Sequence, residues 1–402
     1  MTRSLSFQAV MLTTVAFGAL CAGAGVANAA GYAQTDLVSD VSGLATITDP
    51  NLKNSWGVSF MPGMSPFWIS DQGKGTASLF NVTGSTGVSP ANNFPNPPGA
   101  NTNFVAIPAG PGVGPTGQVA NTNTGAFDVG NGGNGKSAAF IFANLNGTID
   151  AWNKGNVNSA TQNAASVEAT TPGAAYTGLA INGADTMLYA ANGAGAGSIQ
   201  VFNSSFTNVT MPGEFVDPNL PAGLVPFNVE DIGGKVYVAY APAGHVPQTT
   251  ATAGMGAVAV FGEDGTFQTQ LVSGGQLASP WGMAIAPAGF GPFGGDLLVG
   301  NFAFDDSEIN AFDATTGTFE GKIPVNPGGN MPGGLWTLAF GGGGSDGSPN
   351  TLFFTDGINS EGDGLFGSIT AVPEPSTWAM MLVGFGGLAF FAARRRTALA
   401  VG

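Results

Sequence analysis

Residues 56–71 carry the pattern from which the fold follows: Trp56-Gly57-Val58-Ser59-Phe60, a turn containing Pro and Gly, then Phe67-Trp68-Ile69-Ser70-Asp71. Each segment is short, apolar and bounded by turn residues, which is typical of a β-strand. The two segments predict neighbouring antiparallel strands, the second of which ends on an acidic residue.

The second of these segments recurs five more times, and most copies end on Asp or Asn. The copies are residues 140–144, 188–192, 236–240, 297–301 and 352–356, at spacings between 48 and 73 residues. Further short strands precede and follow most copies; before the second copy the pattern offers only the degenerate segment 126–129 as the innermost strand. A period near 50 residues with short strands is typical of a β-propeller. We predict an all-β chain forming a six-bladed β-propeller; a pair of β-sandwich domains is the alternative.

The last unit contains three strands, whereas one unassigned strand, Gln34–Ser39, stands before the first unit. We therefore expect this N-terminal strand to complete the last blade and close the ring, which removes an open sheet edge. The Pro-, Asn- and Gly-rich segment 84–125 predicts a loop excursion between blades one and two.

Composition excludes several classes of protein. The 402 residues include 65 Gly, a single Cys, a single His and 35 charged side chains, with a net charge of −15. One Cys excludes a disulfide framework, and one His excludes a zinc site with several His ligands. The negative charge argues against a nucleic-acid partner, because phosphates require a Lys- and Arg-rich surface.

The N-terminal segment 1–29 is typical of a secretory signal peptide. Arg3 supplies a positive start, residues 9–22 are apolar, and Ala27-Asn28-Ala29 forms a small-x-small cleavage pattern. The sequence therefore predicts an exported body beginning at Ala30.

The C-terminal segment 373–402 has three parts: Pro373-Glu374-Pro375 within a Val-Pro-Glu-Pro-Ser-Thr-Trp run, an apolar stretch 379–393, and Arg394-Arg395-Arg396. The apolar stretch predicts a single transmembrane helix with the arginines on the cytoplasmic side. The segment resembles the PEP-CTERM sorting signal of Gram-negative bacteria. That resemblance implies an inner-membrane-anchored precursor, processing by an exosortase and a final place at the cell surface or in an extracellular matrix, often beside exopolysaccharide. A plain membrane anchor is the alternative.

The body carries a second resemblance. The segments 36–40, 49–52, 56–58, 279–284 and 335–340 resemble a catalogued family of uncharacterised conserved bacterial proteins. This resemblance implies a secreted, propeller-like protein without an established activity, and it assigns no catalytic residue.

A candidate ligand face follows from strand direction. If the Trp-led strands are innermost and antiparallel to the recurring segments, their starts share one face with the Asp and Asn ends. That face collects Trp56, Asp71, Asn144, Asn192, Trp281, Asn301, Trp336 and Asp356. Aromatic faces beside amides and carboxylates suit a sugar; alternatively the Trp rings pack between blades and the Asp and Asn side chains cap turns.

Two acidic segments are candidate calcium sites, because calcium prefers oxygen ligands. They contain Asp305, Asp306 and Glu308 in one loop, and Asp356, Glu361 and Asp363 in a Gly-rich loop. Solvated loop acids are the alternative explanation. His245 lies in a turn-rich loop, where we expect a surface position.

The sequence thus predicts a signal peptide (1–29), a propeller (30–372) and a sorting segment (373–402). The leading functional hypothesis is a non-enzymatic surface or matrix protein that binds polysaccharide and needs no cofactor. A calcium-dependent lactonase- or esterase-like hydrolase with its site on the propeller axis is the alternative.

Overall fold

The computed structural model describes residues 31–91, 94–95, 101–130, 135–154, 164–372 and 383–385, and within them the strands pair into six sheets that form blades. The innermost strand of each blade contacts the innermost strand of the next, and the sixth contacts the first. The sheets therefore close a ring, and the predicted six-bladed all-β propeller is confirmed.

The strand bounds follow the chain from the N-terminus through the third blade. Two strands precede the first blade: β1 (Tyr32–Ser39) and β2 (Ile47–Thr48). The first blade and its excursion contain β3 (Ser55–Ser59), β4 (Phe67–Asp71), β5 (Thr76–Thr83), β6 (Gly87–Pro90), β7 (Phe94–Pro95), β8 (Asn101–Thr102) and β9 (Phe104–Ala106). The second contains β10 (Gln118–Ala120), β11 (Phe140–Ala143), β12 (Thr148–Trp152) and β13 (Ser166–Thr170). The third contains β14 (Tyr176–Ile181), β15 (Met187–Asn192), β16 (Ser198–Asn203) and β17 (Asn208–Val209).

The remaining three blades include the short helical segments. The fourth contains β18 (Leu224–Asp231), β19 (Lys235–Pro242), the helix α1 (His245–Thr249), β20 (Ala257–Gly262) and β21 (Phe267–Ser273). The fifth contains β22 (Pro280–Ile285), β23 (Leu297–Asn301), β24 (Glu308–Phe312) and β25 (Phe319–Pro324), with 3₁₀ turns at Gly291–Phe293 and Phe304–Asp306. The sixth contains β26 (Leu335–Phe340), β27 (Thr351–Asp356) and β28 (Leu365–Ala371).

The ring is closed by pairing between the two ends of the described body. Strand β1 pairs antiparallel with β28, from Tyr32 opposite Ala371 to Ser39 opposite Leu365. Strand β2 then adds to β1 in parallel. The N-terminal strand therefore completes the last blade as predicted, and unfolding either end exposes the edge of the other.

The innermost strands are irregular where the Trp residues lie. The pairing register shifts within β3, β22 and β26, at Trp56-Gly57, Trp281-Gly282 and Trp336-Thr337 respectively. Such bulges bend a strand and re-aim its side chains. Glycine follows two of the Trp residues because the next blade is close: a Cβ on Gly57 would lie 2.5 Å from the Thr116 carbonyl oxygen.

The apolar core is divided by the blades. Six buried clusters each join two consecutive blades, including the pair formed by the sixth and the first. A further cluster lies on the axis and contains the three innermost Trp residues together with Phe227 and Phe302. Packing between blades thus holds the ring, and the axial cluster fills one end of its centre.

One strand prediction is wrong. The sequence pattern placed the innermost strand of the second blade at residues 126–129, but β10 at Gln118–Ala120 takes that place. Phe127 adopts a φ of 60° and its N–H donates to the Ser204 carbonyl oxygen, so it packs against the third blade instead. The excursion 84–125 therefore contains an innermost strand besides its loops.

Both predicted targeting segments lie outside the described residues, apart from 383–385. This applies to Ala27 and Ala29 of the predicted signal peptide and to the predicted sorting residues Pro373, Glu374, Pro375, Arg394, Arg395 and Arg396. In the part of the chain that the structure describes, helices are all too short to cross a bilayer.

Candidate functional site

A cavity of about 460 Å³ opens on the axis, at the face where the innermost strands begin. Antiparallel pairing brings the ends of the second strands to the same face, for example Asn192 opposite Tyr176 and Asp356 opposite Leu335. The cavity volume falls within the range of about 300–1,000 Å³ that is common for small-molecule sites.

The apolar wall of the cavity is formed by Trp56, Trp336 and Phe227. The rings of Trp56 and Trp336 stack with their centroids 3.5 Å apart and their planes 19° apart. Trp281 lies behind them, nearly perpendicular to both, and its Nε1 donates to the Thr177 carbonyl oxygen at 2.9 Å. Trp281 thus supports the stacked pair without lining the cavity.

The polar wall consists of side-chain amides held by one another. Asn54 Nδ2 donates to Gln72 Oε1 at 3.0 Å and to Glu361 Oε1 at 3.2 Å, and Trp336 Nε1 donates to Asn54 Oδ1 at 3.3 Å. Gln72 Nε2 donates to the Gly112 carbonyl oxygen at 2.6 Å. With Gln248 from α1, these groups place hydrogen-bonding atoms beside the aromatic surface.

Glu361 reaches the cavity through a strained turn. Asn359, Ser360 and Glu361 have φ values of 56°, 55° and 63°, and this left-handed conformation costs non-glycine residues roughly 1–2 kcal/mol each. The turn is tied down by Lys53, whose Nζ lies 2.7 Å from Asp40 and 2.9 Å from Asp363. The fold therefore holds the Glu361 carboxylate at the cavity despite an unfavourable backbone.

His245 meets Glu361 across the mouth of the cavity. Its Nε2 lies 2.5 Å from Glu361 Oε2, although α1 follows the fourth blade's second strand and Glu361 belongs to the sixth blade. The hydrogen bond to Glu361 raises the pKa of His245, and partial burial opposes this. The His245 side chain is 62% exposed and that of Glu361 only 11%, so the pair is a bridge at the solvent boundary.

The sequence-predicted ligand face is divided by the structure. Of its eight residues, Trp56 and Trp336 line the cavity. Four others bind neighbouring groups through their side chains: Asp71, Asn144, Asn192 and Asn301. Asn301, for instance, accepts from the Ala278 N–H and donates to the Gln276 carbonyl oxygen, which secures the loop before its blade.

The calcium candidates are also separated. Glu308 pairs with Lys322, Asp363 with Lys53, and Glu361 with His245. Asp305 and Asp306 lie in a 3₁₀ turn. Among the described residues, groups of three or more His, Cys, Asp or Glu side chains able to hold a metal ion are absent.

Sequence reasoning missed most of the polar wall. Asn54, Gln72 and Gln248 belong to no recognisable motif, and His245 was expected merely at the surface. One signal was available: Gln72 directly follows the second strand of its blade, at the end that was already assigned to the axial face. Gln72, Gln248 and Glu361 lie in the loops that leave the second strands, so these loops, and not the strand ends themselves, supply most of the polar wall.

Comparison with known proteins identifies the tail. The PEP-CTERM protein-sorting motif matches residues 371–396. This motif is in general a substrate signal for exosortase processing and implies export and surface localisation.

Two solved structures with a similar fold have low sequence identity to this chain. A structural genomics protein of unknown function from Bacteroides thetaiotaomicron is 10% identical, with a TM-score of 0.49 and coverage of 85% of this chain and 76% of that one. A gluconolactonase from Xanthomonas campestris is 13% identical, with a TM-score of 0.38 and coverage of 66% and 98%.

Two curated relatives come from Acanthamoeba polyphaga mimivirus. Uncharacterized protein L690 is 28% identical over 299 residues, which cover 71% of this chain and 72% of the relative. Uncharacterized protein R648 is 31% identical over 351 residues, which cover 83% of this chain and 78% of the relative. The chain therefore belongs to the same family as uncharacterized protein R648 of Acanthamoeba polyphaga mimivirus.

Proposed function

We propose that this exported propeller binds a neutral polysaccharide at its axial cavity and acts as a non-enzymatic surface or matrix protein. The observation that carries the proposal is the stacked Trp56–Trp336 pair facing the Asn54–Gln72 amides. An aromatic face can cover the apolar side of a sugar ring while amides bind its hydroxyl groups. Because the apolar wall closes the inner end of the cavity, the cavity suits the end of a saccharide chain.

Charge favours a neutral ligand over an anionic one. The body between residues 30 and 372 contains six Lys and 24 acidic residues, a net charge of −18. A field of that sign repels anionic polymers at low ionic strength. The cavity adds one carboxylate, Glu361, which His245 partly compensates.

The proposed ligand class can be tested by titrating the purified protein with short neutral and anionic oligosaccharides. Binding is measured by Trp fluorescence and by titration calorimetry. We expect neutral oligosaccharides to bind, and Gln248→Ala to weaken them about tenfold, the equivalent of about 1.4 kcal/mol. Gln268→Ala is the matched control, since Gln268 is exposed on β21, an outer strand. Absence of binding by every neutral saccharide, or an equal loss in the control, would contradict the proposal.

The proposal includes the order of processing. A leader of residues 1–29 directs export, and a tail helix after Pro375 holds the precursor in the inner membrane until an exosortase removes the tail. Support comes from the matched sorting motif. Changing Pro373 and Pro375 to Ala should leave a full-length, membrane-bound precursor, detected by fractionation and mass; unchanged processing would argue against an exosortase. Membership of the body in the conserved bacterial family likewise stays a prediction.

A further inference from the structure

A second, smaller cavity lies between the fifth and sixth blades. It has a volume of about 100 Å³, and its polar lining comes from Asp305, Ser307 and Asp356, with Phe304 and prolines around them. Asp305 belongs to one of the two acidic segments and Asp356 to the other, so the fold joins one member of each. Lys and Arg side chains are missing from this lining.

Two oxygen atoms of this cavity have no partner among the described residues. Asp356 Oδ1 and Ser307 Oγ are both buried and accept or donate no hydrogen bond. The Asp356 residue is only 2% exposed. A buried, unpaired carboxylate costs several kcal/mol, and native proteins usually compensate such a group with a partner or a metal ion.

The neighbouring acidic side chains either have a partner or lie outside the cavity, so Asp305 and Asp356 are the two carboxylates that the cavity offers to a ligand. Glu308 is paired with Lys322, and Asp363 with Lys53. Asp306, adjacent to Asp305 in the same 3₁₀ turn, does not line the cavity. The two unpaired oxygens therefore belong to residues that line the same cavity and come from two neighbouring blades.

We propose that this cavity binds a calcium ion through the Asp305 and Asp356 carboxylates and the Ser307 hydroxyl. Calcium accepts six to eight oxygen ligands in flexible geometry, so water and backbone carbonyls can complete the shell. Asp305 is exposed and Asp356 buried, which leaves an entry from solvent. With two carboxylates, an affinity on the order of 10⁻⁴–10⁻³ M is expected, as in extracellular calcium modules.

The position of the site links it to the axial cavity. Asp356 is the last residue of β27, and the strained turn that carries Glu361 begins a few residues later. An ion held by Asp356 would fasten the start of that loop to the fifth blade. The site is nevertheless separate from the proposed saccharide site and does not depend on it.

The test is calcium titration of the purified protein by calorimetry, together with thermal melts in CaCl₂, in EDTA and in NaCl of matched ionic strength. We expect binding at a stoichiometry of one and a melting temperature a few degrees higher in calcium. Asp356→Asn and Asp305→Asn should abolish both effects. Asp306→Asn, the matched control in the same turn, should retain them.

We expect the Asp356→Asn variant to fold. Because Asp356 is buried without a partner, Asp356→Asn in EDTA should be at least as stable as the wild type. The proposal is overturned if calcium has no effect on the wild type, or if Asp356→Asn retains the full calcium shift. It is equally overturned if Asp306→Asn loses as much affinity as Asp305→Asn.

Discussion

Two Trp-rich clusters of this propeller use the same residue in opposite ways. Between the first and second blades, Trp68 stacks on Phe140 with centroids 4.0 Å apart and contacts Trp152 at 4.9 Å. On the axis, Trp56 stacks on Trp336 at 3.5 Å, but both rings border a cavity with polar walls. We call these the inter-blade cluster and the axial cluster.

The difference lies in the backbone. Trp68 sits in regular pairing, directly opposite Leu79, and its ring fills the space between two sheets. Trp56 and Trp336 sit where the register of their strands shifts. Trp68 therefore packs between two sheets, whereas the bulges turn Trp56 and Trp336 toward the axis, where both rings border the cavity although they are as buried as Trp68.

The largest expected effect is in the inter-blade cluster. Trp68→Ala should lower the free energy of unfolding by about 3–5 kcal/mol, because it leaves a large void between two sheets. Denaturant titration of the purified protein measures this loss. Trp68→Phe, which keeps an aromatic ring, should cost clearly less; a loss below about 1 kcal/mol for Trp68→Ala would show that the two clusters do not differ as described.

A second prediction concerns an acid on the axial side. Glu230 lies on β18, the strand that carries Phe227, and burial raises the pKa of Glu230 to about 8. Because the folded pKa exceeds the ordinary value of 4.5, stability is greatest below pH 4.5 and is lost as pH rises toward 8. At about 1.4 kcal/mol per pKa unit, a rise from 4.5 to about 8 corresponds to a total loss of about 5 kcal/mol, of which about 3–4 kcal/mol falls between pH 5 and 8.

Denaturant titrations between pH 5 and 8 measure the slope with which the free energy of unfolding falls as pH rises. Glu230→Gln should flatten it, whereas Glu320→Gln, on an exposed outer strand, should leave it unchanged. Because burial also raises the pKa of Asp150 and of Asp356 to about 7, part of the slope should persist in Glu230→Gln. If Glu230→Gln leaves the slope unaltered, a group other than Glu230 causes the loss of stability.

A third prediction separates two members of the axial cluster. Trp281 Nε1 donates to the Thr177 carbonyl oxygen, whereas Trp56 Nε1 is buried without a partner among the described residues. Trp281→Phe should therefore cost about 1–3 kcal/mol by leaving a buried carbonyl unpaired, and Trp56→Phe well under that. Thermal and denaturant unfolding compare the two; equal costs would mean that the indole hydrogen bond contributes nothing.

The propeller was predictable because its signal is repeated. Six copies of one short strand, each near its turn residues, gave the blades, and the spare strand Gln34–Ser39 gave the closure. The second blade was misplaced because its innermost strand, Gln118–Ala120, is only three residues long and follows a loop excursion. A strand of three residues is too short to show the alternation of apolar and polar side chains that marks a strand in a sequence.

The candidate site was less predictable for a physical reason. Trp56 and Trp336 could be found from strand direction, but the bulges that aim them could not be read from the sequence. His245 and Glu361 are 116 residues apart, and a single chain gives no signal that two loops of different blades meet. Similarly, the two acidic segments looked like two sites, whereas pairing with Lys53, Lys322 and His245 removes three of their six members.

The smallest expected effect concerns the ionisable pair beside the axial cluster, His245 and Glu361. Since the hydrogen bond to Glu361 raises the pKa of His245 above 6.5 and partial burial opposes this, the pKa should fall in Glu361→Gln, where only the lowering effect of burial remains. The chain contains one His, so its imidazole protons can be titrated by NMR without ambiguity. The stability that the pair adds is fully present below pH 6.5 and is lost as pH rises through the raised value. At an exposed mouth this amounts to about 1 kcal/mol or less. A saccharide seated on Trp56 and Trp336 should shift the His245 resonance, and one bound elsewhere should leave it in place.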